Sequence, residues 1–493
     1  MTSLLLREAL LDTGSPADVL LSDGVIAAIG APGTVDAAGA EEVALGGRYL
    51  SPGLWDAHLH FTQYVIQRRR FDLTRARSAA ETLDLVRAEL RAHPRDPGEV
   101  FVGYGFRDGT WPDAPTREGI DALGANVPVV LISGDLHCAW LDRTARERWG
   151  IETDATGLAR ENAWINAAKN LGEAEALTDE AFREAALAAA RRGVVGVVEY
   201  EHADNLRDWP ARVAAGVDLL RVEAAVWPDR LDEAIALGVR TGDPLDVAGS
   251  PHPGLVRMGR LKVVVDGSLN TRTALCWDPY PAAGADHGHP YGIASVPVDD
   301  LRELLIRARE AGIEAAVHAI GDRANSDVLD TFESLRMRGI IEHAQLVAER
   351  DFPRFAALGV IASVQPEHAM DDRDVADIHW AGRTGRAFAF GSLLAAGAEL
   401  RLGSDAPVAA LDPWISISAA TTRARSGRAP WHPEQIIPFE VAHAASVRSR
   451  VAVGEVADLA VLDRDPALLS GEELRTLPVA ATLLAGRFTW NAL

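Results

Sequence analysis

Cysteine, lysine and long apolar runs are what this 493-residue chain has least of. Two cysteines, Cys138 and Cys276, are too few for a disulfide framework, and neither carries a nucleophile signature. The longest apolar runs fall well short of the ~20 residues that span a bilayer. The start, Met1-Thr2-Ser3-Leu4-Leu5-Leu6-Arg7-Glu8, lacks the basic opening and long apolar stretch of a signal peptide. A cytoplasmic location is therefore expected. The formal net charge of −22 argues against nucleic acid or an anionic membrane surface as partner. No Gly-rich phosphate loop appears. What remains, 48% hydrophobic and 24% charged, is an ordinary globular composition, long enough for two or three structural units.

The scarcity of lysine directs attention to the two that are present, Lys169 and Lys262, in a chain with 49 basic residues. Lys169 lies in the polar stretch Asn166-Ala167-Ala168-Lys169-Asn170, where a solvated role is expected. Lys262 lies in Arg260-Leu261-Lys262-Val263-Val264-Val265-Asp266-Gly267, a strand-like run. Burial there makes a charged ammonium costly and lowers its pKa.

A second pattern is Asp56-Ala57-His58-Leu59-His60, closing a short apolar run. Side chains alternate along a strand, so His58 and His60 point the same way and are placed to share one metal ion. Taken alone, the pair equally describes two unrelated core or surface histidines.

Strand-like runs at 54–60, 194–200, 219–226, 260–266, 313–319, 340–344, 360–365 and 399–405 alternate with helical stretches such as 178–192, 299–311 and 326–337. Eight such alternations predict a (β/α)8 barrel, an α/β fold of the TIM type. Short strands and turns at both ends of the chain predict a β-sandwich split between residues 1–50 and 440–493. The barrel is expected over 51–439. Residues 70–175 are too many for one crossover and read as an inserted α/β subdomain.

Barrel enzymes carry their chemistry at the C-terminal strand ends. Here those ends hold His58 and His60, Lys262, His318, His343 and Asp405. The set resembles the amidohydrolase superfamily, in its amidohydrolase-3 branch of N-substituted formamide deformylase-like proteins. The carrying motifs are Pro52-Gly53 with Asp56-Ala57-His58-Leu59-His60, then Leu261-Lys262-Val263-Val264-Val265-Asp266-Gly267, and then Val317-His318-Ala319-Ile320-Gly321-Asp322. They continue with Ile341-Glu342-His343-Ala344-Gln345, Gln365-Pro366, Gly403-Ser404-Asp405-Ala406-Pro407 and Ala457-Asp458-Leu459-Ala460-Val461-Leu462-Asp463.

The resemblance implies a metal-dependent hydrolase of carbon–nitrogen bonds other than peptide bonds, acting on a small amide or formamide-like molecule. It implies one or two divalent ions, Zn²⁺ foremost, with His58, His60 and Asp405 at one position. His318 and His343 belong to a second position, or to a ligand-and-substrate role if only one ion binds. Lys262 matches a lysine that CO2 can carboxylate on N6 to bridge two ions. Only a neutral primary amine forms that carbamate, so arginine cannot replace it. The other role for Lys262 is a structural lysine paired with Asp266 or a nearby carboxylate. The implied chemistry is attack by metal-bound hydroxide, with Asp405 as general base and acid and His343 assisting.

His137, Arg272, Gln365 and His368 are candidate substrate contacts. Glu199-Tyr200-Glu201-His202 departs from the less acidic ending expected there, and reads as a specificity element, an extra ligand or a solvated loop. A homodimer is a family-level expectation. The same metal site suits ester, carbamate or lactone hydrolysis. A deaminase of the superfamily is disfavoured by Gly321, which stands where such enzymes carry a glutamate. A non-catalytic metal-containing binding protein is the third reading, although no ligand is missing.

Overall fold

A computed structural model describes the whole chain except residues 1–2, 13, 107, 109–110, 135–137, 161–163, 165–176, 248–249, 251 and 282–288. It divides into two compact units, Met1–Phe61 with Arg183–Leu493, and Thr62–Phe182. Among the described residues, no helix is long and apolar enough to cross a membrane.

The larger unit contains eight parallel strands, Leu54–Leu59, Val194–Glu199, Arg221–Val226, Val256–Val264, Ala315–Ala319, Gly339–His343, Ile361–Val364 and Leu400–Leu402. They neighbour one another in chain order. The register runs from Val197 opposite Asp56 through Lys262 opposite Ala316 to Val364 opposite Leu402. Burial on both faces explains near-continuous apolar runs such as Val194-Val195-Gly196-Val197-Val198, which do not alternate. The strands are those anticipated from sequence, and the TIM-type barrel is nearly closed by a parallel bridge between Leu59 and Ala406.

Helices cover the strands with one apolar stripe each. In Val298–Glu310 the stripe is Leu301, Leu305 and Ala308, at the i, i+4, i+7 spacing of one helix face. The next helix, Asp322–Leu335, starts four residues before the sequence expectation. Its first turn is polar yet buried, because Asn325 and Ser326 bond to neighbouring backbone carbonyls. Apolar periodicity alone misses such a turn.

The two ends of the chain share one eight-stranded sheet. Arg487–Asn491, Val479–Leu484 and Leu459–Leu462 join Tyr49–Pro52, Leu4–Leu10, Pro16–Ser22 and Val25–Gly30, and Glu41–Ala44 pairs with Leu4–Leu10. Asp458 ties this sheet to the barrel. Its carboxylate accepts two bonds from Arg221, at 2.5 and 3.0 Å, at the start of the third barrel strand.

The smaller unit has a five-stranded sheet in the order Leu158–Arg160, Cys138–Leu141, Val129–Ser133, Phe101–Phe106, Phe71–Asp72. Phe101, Phe106, Leu131 and Trp140 fill its core. Helix Ala79–Ala92 opens on Ser78, whose hydroxyl accepts from the Glu81 N–H.

Closure of the barrel depends on a seam between its last and first strands. The Asp56 carboxylate accepts from the Ser404 N–H at 3.0 Å and the His58 N–H at 3.1 Å. Asp405 N–H donates to the His58 carbonyl at 2.7 Å, and His60 N–H to the Ala406 carbonyl at 2.8 Å. Gly403 makes this approach feasible, since a Cβ there would lie 2.6 Å from the His58 nitrogen. Gly403→Ala is expected to destabilise the fold by about 1–3 kcal/mol in urea unfolding, the usual cost of overpacking. Gly385→Ala, where a Cβ meets nothing within 4 Å, should cost far less.

Candidate metal centre

The C-terminal strand ends converge on one cluster. His58 and His60 leave the first strand on the same side, with ring centroids 5.7 Å apart. Both Nε2 atoms face Asp405 Oδ1, at 3.5 and 3.4 Å. Asp405 lies three residues beyond the eighth strand with a φ of 56°, a left-handed conformation rare for this residue type. His343 ends the sixth strand at φ 74°, so its side chain leaves the strand's alternation. Its ring lies 4.8 Å from that of His58 and 4.4 Å from that of His318.

Two groups offer three metal-ligand atoms within 4.8 Å of one another, His58 with His60 and Asp405, and His343 with His368 and Asp405. The first is the trio anticipated from sequence. In the second, His368 stands where the sequence reading placed only a substrate contact, its Nε2 3.9 Å from Asp405 Oδ2.

Lys262 is buried, as its strand position required. Its Nζ makes no hydrogen bond among the described residues and rests 4.4 Å from the centroid of the Tyr200 ring. Among the described residues no ion pair joins it to Asp266, and the carboxylates whose charge acts on it are Glu342 and Asp405. Asp266 instead accepts from the backbone N–H groups of Leu275, Ile320 and Gly321 at 2.8–3.0 Å. His318 Nε2 lies 3.5 Å from Asp266 and 3.4 Å from the Gly267 carbonyl.

Glu342 lies behind His58. One carboxylate oxygen is 2.6 Å from His58 Nδ1, and the other accepts from the Tyr200 hydroxyl at 2.8 Å. The carboxylate holds the proton on Nδ1 and leaves the Nε2 lone pair facing Asp405. Glu342 stands in the motif Ile341-Glu342-His343-Ala344-Gln345 without a role in the sequence pattern. The available signal was a glutamate inside the apolar run Ile340-Ile341-Glu342, which burial makes costly unless it is partnered.

Burial sets the charge state of the cluster. It lowers His60 and His368 to about 4 and His318 to about 3, and it lowers His58 and His343 as well. The nearby Lys262 charge adds to the effect on His58, His60, His318 and His343. Burial also pushes the Lys262 ammonium down, to about 8, against the attraction of Glu342 and Asp405. It raises the Asp405 carboxyl to about 7, opposed by Lys262. The imidazoles are thus neutral, the form that ligates metal.

Lys262 Nζ, His343 Nδ1 and His368 Nε2 are all buried without a hydrogen-bond partner among the described residues. Native interiors rarely leave so many polar atoms unpaired in one place. Neutral imidazoles, a carboxylate and an amine with unspent valences are a donor set that fits a divalent cation.

The remaining candidates divide. Gln365 is buried at the start of helix Pro366–His379, its Oε1 unpartnered. Arg272 sits in a tight turn at φ 59°, and no hydrogen bond or ion pair joins it to the cluster among the described residues. His137 lies outside the described residues, as does Lys169. Glu199 is neither a solvated loop residue nor a free ligand. It is fully buried and accepts from the N–H groups of Phe61, Glu201 and the Trp209 indole, at 2.8–3.1 Å. His202 is exposed beside Asp229.

The chain is similar to known proteins along most of its length. Over 437 residues the chain is 28% identical to Protein LONG AFTER FAR-RED 3 of Arabidopsis thaliana, covering 78% of this chain and 70% of that protein. It is 26% identical to N-substituted formamide deformylase of Arthrobacter pascens, covering 95% and 94%. Among solved structures, an uncharacterized metal-dependent hydrolase from Pyrococcus horikoshii OT3 superposes with a TM-score of 0.76 at 25% identity, covering 95% and 98%. Residues 41–490 match the Amidohydrolase family, and with nearly the whole chain so matched, this protein belongs to that family.

Proposed function

We propose that this protein hydrolyses a carbon–nitrogen bond, other than a peptide bond, in a small amide or formamide-like molecule. The observation that carries the reading is the convergence of buried neutral imidazoles, an unpartnered amine and an aspartate at the C-terminal end of the barrel. Similarity to the N-substituted formamide deformylase of Arthrobacter pascens supports the bond type. His58, His60 and Asp405 would hold one ion, with Lys262, His318 and His343 completing the set for one or two. Nitrogen and oxygen donors of this kind suit Zn²⁺. When bound, such an ion supplies Lewis-acid chemistry, acidifying water and polarising a carbonyl.

The chain's own residues supply the rest. Asp405 takes a proton at its carboxylate and returns it to the leaving nitrogen, a role suited to an acid raised towards neutrality. Glu342 and Tyr200 fix the His58 ring, and His343 orients the substrate carbonyl. Burial gives Lys262 a neutral amine fraction that can add to CO2, forming an N–C bond with loss of one proton, and the N6-carboxylated side chain would offer two anionic oxygens to a bound ion. Gln365 and His368 line the rim, and Arg272 is a further contact. The same reading takes the terminal sheet as a split β-sandwich and places a homodimer in the cytoplasm.

Chelator-treated protein is expected to lose activity on an amide and formamide panel and to regain it with Zn²⁺; full activity without metal would overturn the reading. Asp405→Asn should lower kcat by about 10²–10⁴-fold, measured with circular dichroism unchanged. Glu342→Gln presents an amide to His58 Nδ1. Metal affinity, read by chelator competition, should fall about 10–100-fold while the melting temperature of the metal-free protein stays close to that of the parent.

A further inference from the structure

The smaller unit carries a cavity of its own, of about 400 Å³. Four arginines line it, Arg69, Arg70, Arg75 and Arg95, together with Asp72, Glu89 and the ring of Phe71. The chain has 71 acidic and 49 basic residues, so four guanidinium groups around one cavity run against its composition. Elsewhere carboxylates answer the arginines. Arg354 meets Asp330, Glu333 and Asp351, and Arg428 meets both oxygens of Asp374.

The cavity is built from two stretches of chain, 69–75 and 89–95. Arg69 and Arg70 follow helix Phe61–Arg68, their N–H groups bonded to the Ile66 and Gln67 carbonyls at 3.2 and 2.9 Å. Phe71–Asp72 is an edge strand of the five-stranded sheet, and Arg75 lies in the turn after it. Arg95 comes from the loop after helix Ala79–Ala92. Its carbonyl accepts from Asn126 Nδ2 at 3.1 Å, and its guanidinium lies 5.6 Å from the centroid of the Phe101 ring.

Two carboxylates cannot balance four guanidinium groups, and both are engaged nearby. Asp72 Oδ1 accepts from the Thr74 N–H and hydroxyl, at 2.8 and 2.6 Å. Glu89 Oε1 lies 3.0 Å from His93 Nδ1 and 3.9 Å from Arg95, beyond hydrogen-bond reach. Arg95 Nε is buried without a hydrogen-bond partner, and Arg75 has no hydrogen bond or ion pair, among the described residues. Arg69 and Arg70 have other contacts and contribute charge.

We infer that this cavity binds a phosphoryl dianion, free or as a small phosphomonoester. A tetrahedral dianion offers oxygens to several guanidinium forks at once, whereas one carboxylate is satisfied by a single fork. Phe71 supplies an apolar wall for the organic part of a monoester. Side chains do the recognising, in keeping with a sequence that has no Gly-rich phosphate loop. None of the metal-centre residues takes part.

The test is calorimetric titration of the chelator-stripped full chain with inorganic phosphate and, separately, with phenyl phosphate. Wild type is expected to bind one equivalent, more weakly as salt rises. Arg95→Gln and Arg75→Gln are each expected to weaken binding about tenfold, with circular dichroism unchanged. Arg75 is exposed, so its variant carries the test if Arg95→Gln fails to fold. Tighter binding of phenyl phosphate assigns a monoester as the occupant, and binding of phosphate as tight or tighter assigns the free ion. No saturable binding of either probe, or binding that both variants retain at wild-type strength, would overturn the site. His60→Ala is expected to bind as wild type does; loss of binding there would put the anion at the metal centre and overturn the site as well.

Discussion

The site depends on one seam, where the eighth strand of the barrel meets the first. Asp56 grips the Ser404 and His58 N–H groups, and the backbones of His58 and Asp405 are hydrogen-bonded directly. His58 and His60 come from one side of that seam and Asp405 from the other. The Asp56 carboxylate is occupied by the His58 and Ser404 N–H groups and by the Ser404 side chain. It sets the separation between ligands within tenths of an ångström, a scale at which both metal affinity and proton transfer are sensitive. The lack of a side chain at Gly403 belongs to the same device, because no other residue leaves room for His58 to approach so closely.

Behind the seam the governing term is desolvation. Five histidines and one lysine share a buried space, and each would be expensive to charge. The protein leaves them as bases and keeps its acids on the flanks. Glu342 meets His58, Asp266 is spent on backbone N–H groups beside His318, and Asp405 lies between. Such an assembly is unfavourable as an empty interior. It becomes favourable when a cation gives the lone pairs something to bind. The unpartnered nitrogens are thus better understood as stability held in reserve for a ligand than as defects of packing.

Much of this was legible in the sequence because a parallel barrel writes its pattern plainly. Each buried strand is an apolar run, and any His, Lys or Asp that closes such a run stands out against it. His58, His60, Lys262, His318, His343 and Asp405 were found in this way, and the structure brings them to one end of the barrel. His368 was legible only as a nearby polar residue. It sits on the first turn of a helix, where side-chain direction follows the turn and not the alternation of a strand. Glu342 has no role in the sequence reading, and Glu199 stands there in a run read as a specificity element, an extra ligand or a solvated loop, for the opposite reason. Both are buried acids whose meaning lies in partners far along the chain, His58 and Tyr200 for one, Phe61 and Trp209 for the other. Pairings of that kind depend on tertiary closure, and a local apolar run shows at most that the acid is buried, not which partner it meets.

The seam also has a consequence in time. Asp56 and Ser404, which it joins, are separated by 348 residues, so these contacts are among the last that loop-closure entropy permits. A ribosome that has released the seventh strand and the first turn of the helix after it has made every histidine of the cluster but not Asp405. Chains of this size fold through partly formed intermediates. In this one, Asp405, which both ligand groups share, is made after every histidine of the cluster.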